Sequence, residues 1–289
     1  MFTNRDIADY YNQTLNHYQD WWGLNKNFAV HYGIWDTNTN NFNEALVNTN
    51  RILMEIADIR EGERILDAGC GVGGSAFYLA KHRNVQVCGI TLSEKQHSYA
   101  VKKCNELGVE THVNFKIEDY SQTSFPDNSF NVIWAIESIT SSYNKEKFTK
   151  EAFRLLKPGG RLIIADYFKS KPDQEDSKNL LEKWRKLWTM APFLCLPEYK
   201  VIFQNTGFKL SNERDVTKQI IPTAKRMYRS YLFGGPLAIV YNILFNPRKF
   251  ARTHYKSGLY QYKALKRGLW NYSILLFEKP NNELTSTST

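Results

Sequence analysis

The chain has 289 residues, 42% hydrophobic and 14% aromatic, with a formal net charge of +9. That length fits one large domain, or one domain carrying a substantial insertion, and the apolar content supports a real core. No apolar run reaches the roughly 18 residues a spanning helix needs, and the four cysteines (70, 88, 104 and 195) form neither a C-x-x-C pair nor a zinc-spaced cluster with histidine, so no metal site is expected.

In chain order, residues 1–60 read as an N-terminal helical cap. Residues 6–22 carry Tyr10, Tyr11, Tyr18 and Trp22 at helical spacing, residues 31–36 (His-Tyr-Gly-Ile-Trp-Asp) form an aromatic turn-like segment, and residues 42–58 read as an amphipathic helix. Strands then alternate with helices. Strands are expected at 64–68, 85–90, 112–117, 130–136 and 161–166, and helices at 75–81, 93–107 and 145–156. Ser93 is the expected N-cap of the second of these helices, with Gln96 at the capping-box position, and Gly108 is the expected C-cap. Pro158-Gly159-Gly160 ends the third.

After residue 170 the alternation breaks. Helices are expected at 174–190 and 198–205, a sixth strand at 208–217, a largely helical insertion at 222–268, and a last strand at 271–277. The pattern predicts an α/β fold: a doubly wound, mostly parallel, seven-stranded Rossmann-like sheet with a helical cap in front and a helical insertion before the last strand. The expected division is cap 1–60, core 61–221 with 269–279, basic lid 222–268, and a polar, disordered tail 280–289.

The most informative stretch is 64–74, Arg-Ile-Leu-Asp-Ala-Gly-Cys-Gly-Val-Gly-Gly. A buried strand ends in a glycine turn that opens a helix, which is a place where a cofactor can touch backbone. Gly69, Gly71 and Gly74 also fit the G-x-G-x-x-G pattern of dinucleotide-binding folds. That reading expects an acid at the end of the second strand, where Thr91-Leu92-Ser93 stands instead. Asp67, beside the turn, would repel a pyrophosphate and suits a cofactor with a cationic amino-acid tail.

Three further segments fit the second reading. Glu118-Asp119-Tyr120 ends the third strand, residues 134–138 (Trp-Ala-Ile-Glu-Ser) end the fourth, and residues 155–160 (Leu-Leu-Lys-Pro-Gly-Gly) lead into the fifth. In this order and spacing, residues 60–170 resemble the class I S-adenosylmethionine-dependent methyltransferases. Residues 89–93 (Gly-Ile-Thr-Leu-Ser), Gln96, the cap segment 31–36 and the Tyr10-Tyr11 pair resemble the branch that contains sterol, tocopherol, geranyl diphosphate and other small-molecule methyltransferases. The chain departs from that branch at Asn131, where an acid is usual, and in lacking the ribose-binding acid after the second strand.

The resemblance implies S-adenosylmethionine as cofactor. Asp67 and the backbone of Gly69 and Gly71 would hold its methionine part, and Thr91, Leu92 and Gln96 its ribose. Asp119 would take the adenine amino group between Glu118 and Tyr120, and the floor near the methyl would run from Ala135 to Glu137. Methyl transfer is an in-line displacement on an activated sulfonium, so the protein supplies positioning and a dry pocket. When carbon attacks, a carbocation follows, and a carboxylate can stabilise it and take a proton. Glu137 is the candidate for that role, with His31 and Tyr11 completing the candidate catalytic set from the cap. The expected reaction is C-methylation of a small lipophilic acceptor of terpenoid, prenylated or sterol-like build. N- or O-methylation of a small polar metabolite, such as an amino alcohol, is the rival.

Residues 215–289 hold twelve Lys or Arg against three acids, while the rest of the chain is balanced. Arg248, Arg252 and Lys256 at i, i+4, i+8, after the apolar run 231–245, suggest contact with an anionic membrane; Lys225, Arg226 and Arg229 suggest a clamp for a diphosphate. Nucleic acid is not an expected partner, since no RNA-binding module is visible and residues 137–140 read Glu-Ser-Ile-Thr rather than an Asn-Pro-Pro-Tyr type sequence. RNA modification therefore ranks last. The scattered cysteines and the lack of a leader-like N-terminus point to the cytoplasm, either free or at a membrane surface.

Overall fold

The computed structural model describes residues 1–281. Its sheet has seven strands: β1 (Arg64–Ala68), β2 (Gln86–Thr91), β3 (Val113–Ile117), β4 (Phe130–Ile136), β5 (Leu156–Lys169), β6 (Lys209–Asp215) and β7 (Trp270–Glu278). Their spatial order is β3-β2-β1-β4-β5-β7-β6. β1 to β5 are parallel, and β7 runs antiparallel to both β5 and β6. The doubly wound, mostly parallel class expected from the alternation is the observed one.

The cap contributes α1 (Asn4–Trp22), α2 (Leu24–Asn27) and α3 (Phe42–Ile56). Thr3 caps α1 through a complete capping box with Asp6, and Asn41 caps α3. Parallel strands cannot be joined by tight turns. Helices make the crossovers: α4 (Gly74–Arg83), α5 (Glu94–Leu107) and α6 (Lys145–Leu155). After β5 come α7 (Leu180–Leu187) and α8 (Leu196–Asn205), and after β6 come α9 (Thr217–Phe245), α10 (Lys249–Thr253) and α11 (Ser257–Lys266).

Side chains alternate across each strand, so a sheet covered on both faces needs two cores. Ile65, Val87, Val132, Trp134 and Ile163 face the core closed by the cap, α4 and α7. Leu66, Cys88, Ile133, Ala135 and Ile164 face the other, closed by Phe148 of α6 and by Tyr199 and Phe203 of α8.

Several boundaries differ from the sequence expectation. β5 is far longer than 161–166. Pro158-Gly159-Gly160 stops α6, but the chain is already in the sheet, because Gly159 N–H donates to the Lys279 carbonyl and Lys279 N–H to that of Gly160. The strand absorbs the extra residues as an irregularity against β4 between Phe130 and Val132. The helix expected at 174–190 shrinks to α7, since Asn179 is left-handed (φ 50°) and Asp176 accepts the Leu181 N–H.

Ser93 caps α5 as expected, but Gln96 makes only half of the box: its N–H donates to Ser93 Oγ, while its side-chain oxygen accepts from Thr91 Oγ1. Arg248, Arg252 and Lys256 do not share a continuous α-helical face, because Arg248 only caps α10 and residues His254–Lys256 form a 3-10 turn. Of the polar tail expected at 280–289, residues 282–289 lie outside the described part.

Candidate active site

Strand order reverses between β1 and β4, and the crevice outside their carboxyl ends is where open α/β sheets bind ligands. Asp67 of β1 is paired in register with Trp134 of β4. The chain therefore leaves β1 through the glycine turn and β4 through Glu137 on the same edge of the sheet. A partly open cavity occupies that crevice beneath the cap.

The glycine turn is dictated by contact as well as by backbone. Gly69 sits at φ 92°, and a Cβ there would stand 2.4 Å from Cβ of Ser138; a Cβ on Gly74 would stand 2.2 Å from the Phe28 carbonyl oxygen. Side chains at these positions would push the β4 loop and the cap away from β1. Gly69 and Cys70 both give their N–H to the Ile90 carbonyl, so the Gly69 N–H is already engaged.

Asp67 lines this cavity, is 3% exposed, and its Oδ2 has no hydrogen-bond partner among the described residues. Burial pushes its pKa from 3.8 up to about 7. A buried carboxyl in that state calls for a cationic partner. Thr91, Leu92 and Gln96 line the same cavity, and the Thr91–Gln96 side-chain bond (3.0 Å) turns the Gln96 amide nitrogen toward Gly71.

Glu137 lies at the other end of the floor. It is left-handed (φ 51°), its N–H is tied to the Ala165 carbonyl (2.8 Å), and its carboxyl accepts three donors. These are the Tyr32 N–H (2.6 Å), the Tyr272 hydroxyl (2.8 Å) and the Tyr167 hydroxyl. Burial nonetheless outweighs the donors and raises its pKa from 4.5 to about 8. Tyr32 serves a second neighbour. Its carbonyl accepts a hydrogen bond from His31 Nδ1 (2.9 Å). That fixes the proton on Nδ1 and leaves the Nε2 lone pair, buried in the cavity wall, without a hydrogen-bond partner among the described residues. Burial holds His31 neutral, its pKa lowered to about 4.

Most of the expected site residues come together. Glu137, His31, Tyr11, Asp67, Gly69, Gly71, Thr91, Leu92, Gln96, Glu118 and Tyr120 all line the cavity. Asp119 and Ala135 do not: Asp119 accepts from Ser121 N–H and from Asn4 of α1 (both 2.8 Å), and Ala135 is buried inside β4. Lys225, Arg226 and Arg229 stand outside the lining, and Arg226 lies over the Phe42 ring at 4.6 Å. Among the described residues no Lys or Arg lines the cavity at all.

Sequence reasoning missed Tyr167, Tyr272, Tyr18 and Trp188. Tyr167 had a usable signal, one residue beyond the expected end of the fifth strand. Tyr272 had none, because its place depends on β7 pairing antiparallel to β5.

Residues 3–231 match the mycolic acid cyclopropane synthetase family. The chain belongs to this family. Its members are S-adenosylmethionine-dependent methyltransferases, and so is this protein. The methyltransferase GfsG of Streptomyces halstedii is 31% identical over 222 residues, covering 76% of this chain and 78% of that protein. A phosphoethanolamine N-methyltransferase of Triticum aestivum is 31% identical over 182 residues; these cover 62% of this chain but only 34% of the wheat protein. Among solved structures, the geranyl diphosphate C-methyltransferase of Streptomyces coelicolor, bound to Mg2+, geranyl diphosphate and S-adenosyl-L-homocysteine, superposes with a TM-score of 0.76 at 18% identity, over 96% of this chain and 97% of that one. That last likeness concerns the fold alone. For this methyltransferase family the buried Asp67 oxygen, without a partner among the described residues, and the close-packed glycine turn beside it suit the cofactor's cationic methionine end.

Proposed function

We propose that this methyltransferase methylates a carbon of a small lipophilic acceptor, of terpenoid, prenylated or sterol-like build, whose reacting end carries no anionic group. One observation carries the reading. The cavity is walled by aromatic rings and lined by Asp67 and Glu137, and among the described residues no Lys or Arg lines it; Glu118 also lines it, but its carboxyl accepts from the Ser124 N–H and Oγ. Such walls favour positive charge and disfavour negative charge. They fit an uncharged alkene that becomes a cation as it is methylated. They fit poorly a phosphate or diphosphate of the kinds named for the wheat and Streptomyces coelicolor proteins.

Asp67 would hold the cofactor's ammonium group, with Gly69 beside it and Gln96 and Thr91 at the ribose. Bound there, S-adenosylmethionine supplies a methyl group activated by its sulfonium. Tyr10, Tyr11 and Trp188 exclude water and press the acceptor into line. In its carboxylate form Glu137 stabilises the new positive charge and takes the proton whose loss restores the double bond, ending as the carboxylic acid. The Tyr167 and Tyr272 hydroxyls and the Tyr32 N–H stabilise the ionised carboxyl.

The bare Nε2 of His31 favours a second reading, O-methylation of a hydroxyl acceptor with His31 as base. Methyl-labelled cofactor, incubated with prenylated, terpenoid and sterol extracts and with polar hydroxylated and amino metabolites, separates the two. Label bonded to carbon supports the first reading, and label on oxygen supports the second. Label found only on the nitrogen of an amino metabolite would sink both.

A further inference from the structure

The first half of α9 is bound to the cap: Thr223 Oγ1 donates to the Gly33 carbonyl and accepts from Trp35 Nε1, and Gln261 of α11 donates to the Ala224 carbonyl. The second half emerges from the body of the protein. Phe233, Leu237, Val240 and Leu244 follow one another at i, i+4, i+7 and i+11, which is a single stripe. They are 77%, 66%, 54% and 69% exposed, and Ile243 and Phe245 extend the patch beside them. The opposite face is covered by the same insertion: Tyr255 stacks on Tyr231, and Asn242 Nδ2 donates to the Arg252 carbonyl.

Cations bracket the stripe. Lys225 and Arg229 precede it; Arg248, Lys249 and Arg252 follow it, and all five are exposed. Between Asp215 and Glu278 the chain has eleven Lys or Arg and no acid. A large apolar patch rimmed by one sign of charge marks an interaction site. The apolar run 231–245 is about 22 Å long, short of the roughly 30 Å of a bilayer's hydrocarbon core. No helix among the described residues is long and apolar enough to cross a membrane.

We propose that the distal half of α9, with α10, is an interfacial docking site for an anionic lipid surface. The apolar stripe enters the headgroup–acyl boundary while the flanking cations bind lipid phosphates. The occupant follows from the charge: a second copy of this insertion would bring ten cations against ten, whereas anionic lipid neutralises them. The return leg of the insertion also abuts the cavity. Phe250 of α10 packs edge-on against the cavity-lining Tyr10 (5.9 Å), and His254 packs against Tyr10 and Tyr18 (5.8 and 5.3 Å). Docking would thus set the cavity wall beside the lipid surface. The proposal does not depend on which atom the enzyme methylates.

The test is co-sedimentation of the full chain with vesicles of phosphatidylcholine containing about one-third phosphatidylglycerol. Binding is expected, at least about tenfold stronger than to pure phosphatidylcholine, and weakened as salt rises from about 0.05 to about 0.5 M. The double variant Phe233→Glu/Leu244→Glu should lose it by about tenfold or more, with cofactor affinity unchanged as proof of folding. Arg248→Glu/Arg252→Glu serves the same purpose through charge alone. Absence of binding by the parent protein, or variants that bind as it does, would overturn the proposal. So would a parent dimer that masks the stripe and dissociates in the apolar variant without any vesicle binding.

Discussion

Tyr167 and Tyr272 are register partners across β5 and β7, and both hydroxyls end on the carboxyl of Glu137. Glu137→Gln keeps the shape and removes the charge. It is expected to lower kcat by about 100-fold or more, with cofactor affinity within about twofold of the parent by calorimetry. Tyr272→Phe removes one donor to the ionised form and should cost about tenfold in kcat, the usual scale of one hydrogen bond to a charged group.

Asp67, proposed to hold the cofactor's ammonium group, is expected to cost stability in the cofactor-free protein. Its carboxyl is buried with an unpartnered oxygen and raised in pKa by desolvation. Asp67→Asn should weaken cofactor binding by about tenfold or more, since a charge-assisted contact is lost. The same change should raise the melting temperature of the cofactor-free protein. A variant that melts lower and still binds cofactor normally would contradict both halves.

Stability should fall as pH rises from about 6.5 to about 8. Asp67 and Glu137 have folded-state pKa values raised to about 7 and about 8. In that window the native protein holds protons that the unfolded chain has lost, so each step up in pH favours unfolding. Below about 6.5 the buried His31 and His254, lowered to about 4 and about 3, act in the opposite sense; their stabilisation is lost as pH falls. Melting curves of the cofactor-free protein across the window test this, and Glu137→Gln should flatten the alkaline side.

Gly69→Ala is expected to destabilise the fold by about 1–3 kcal/mol from the left-handed backbone alone, and further because its Cβ meets Ser138 Cβ at 2.4 Å. Ser138→Gly in the same chain relieves the contact but not the backbone term. Denaturant unfolding of the single and double variants should therefore show partial rescue.

His31→Gln keeps a polar side chain and removes the base. For a carbon acceptor, turnover should fall by less than about tenfold, because Glu137 handles the proton. A loss of about 100-fold, measured on the labelled product, would move the assignment to the O-methylation reading.

The parallel core was legible in the sequence because β1, β2 and β4 carry short apolar runs, closed in β1 and β2 by a glycine or a capping residue. β4 was read to the residue, and Asp67, Gly69, Gly71, Thr91, Leu92, Gln96, Glu118, Tyr120 and Glu137 line one cavity. Asp119 was expected at the adenine from the family resemblance. Its neighbour Asn4 is 115 residues distant, and no local pattern reveals that bond. The length of β5 was hidden because Pro158-Gly159-Gly160 signals a break wherever local chemistry decides, and here pairing with Lys279 overrides it. Tyr272 was silent for the same reason: its role is set by strand pairing across more than a hundred residues.

That long-range pairing has a consequence for biosynthesis. The Glu137 carboxyl draws its donors from residue 32 near the start of the chain, from residue 167 in the middle and from residue 272 in the final strand. The glycine turn is synthesised well before β7, and the Tyr272 donor reaches Glu137 only when β7 docks between β5 and β6. On the proposed role of Glu137, a chain cut short before β7 should be inactive in methyl transfer.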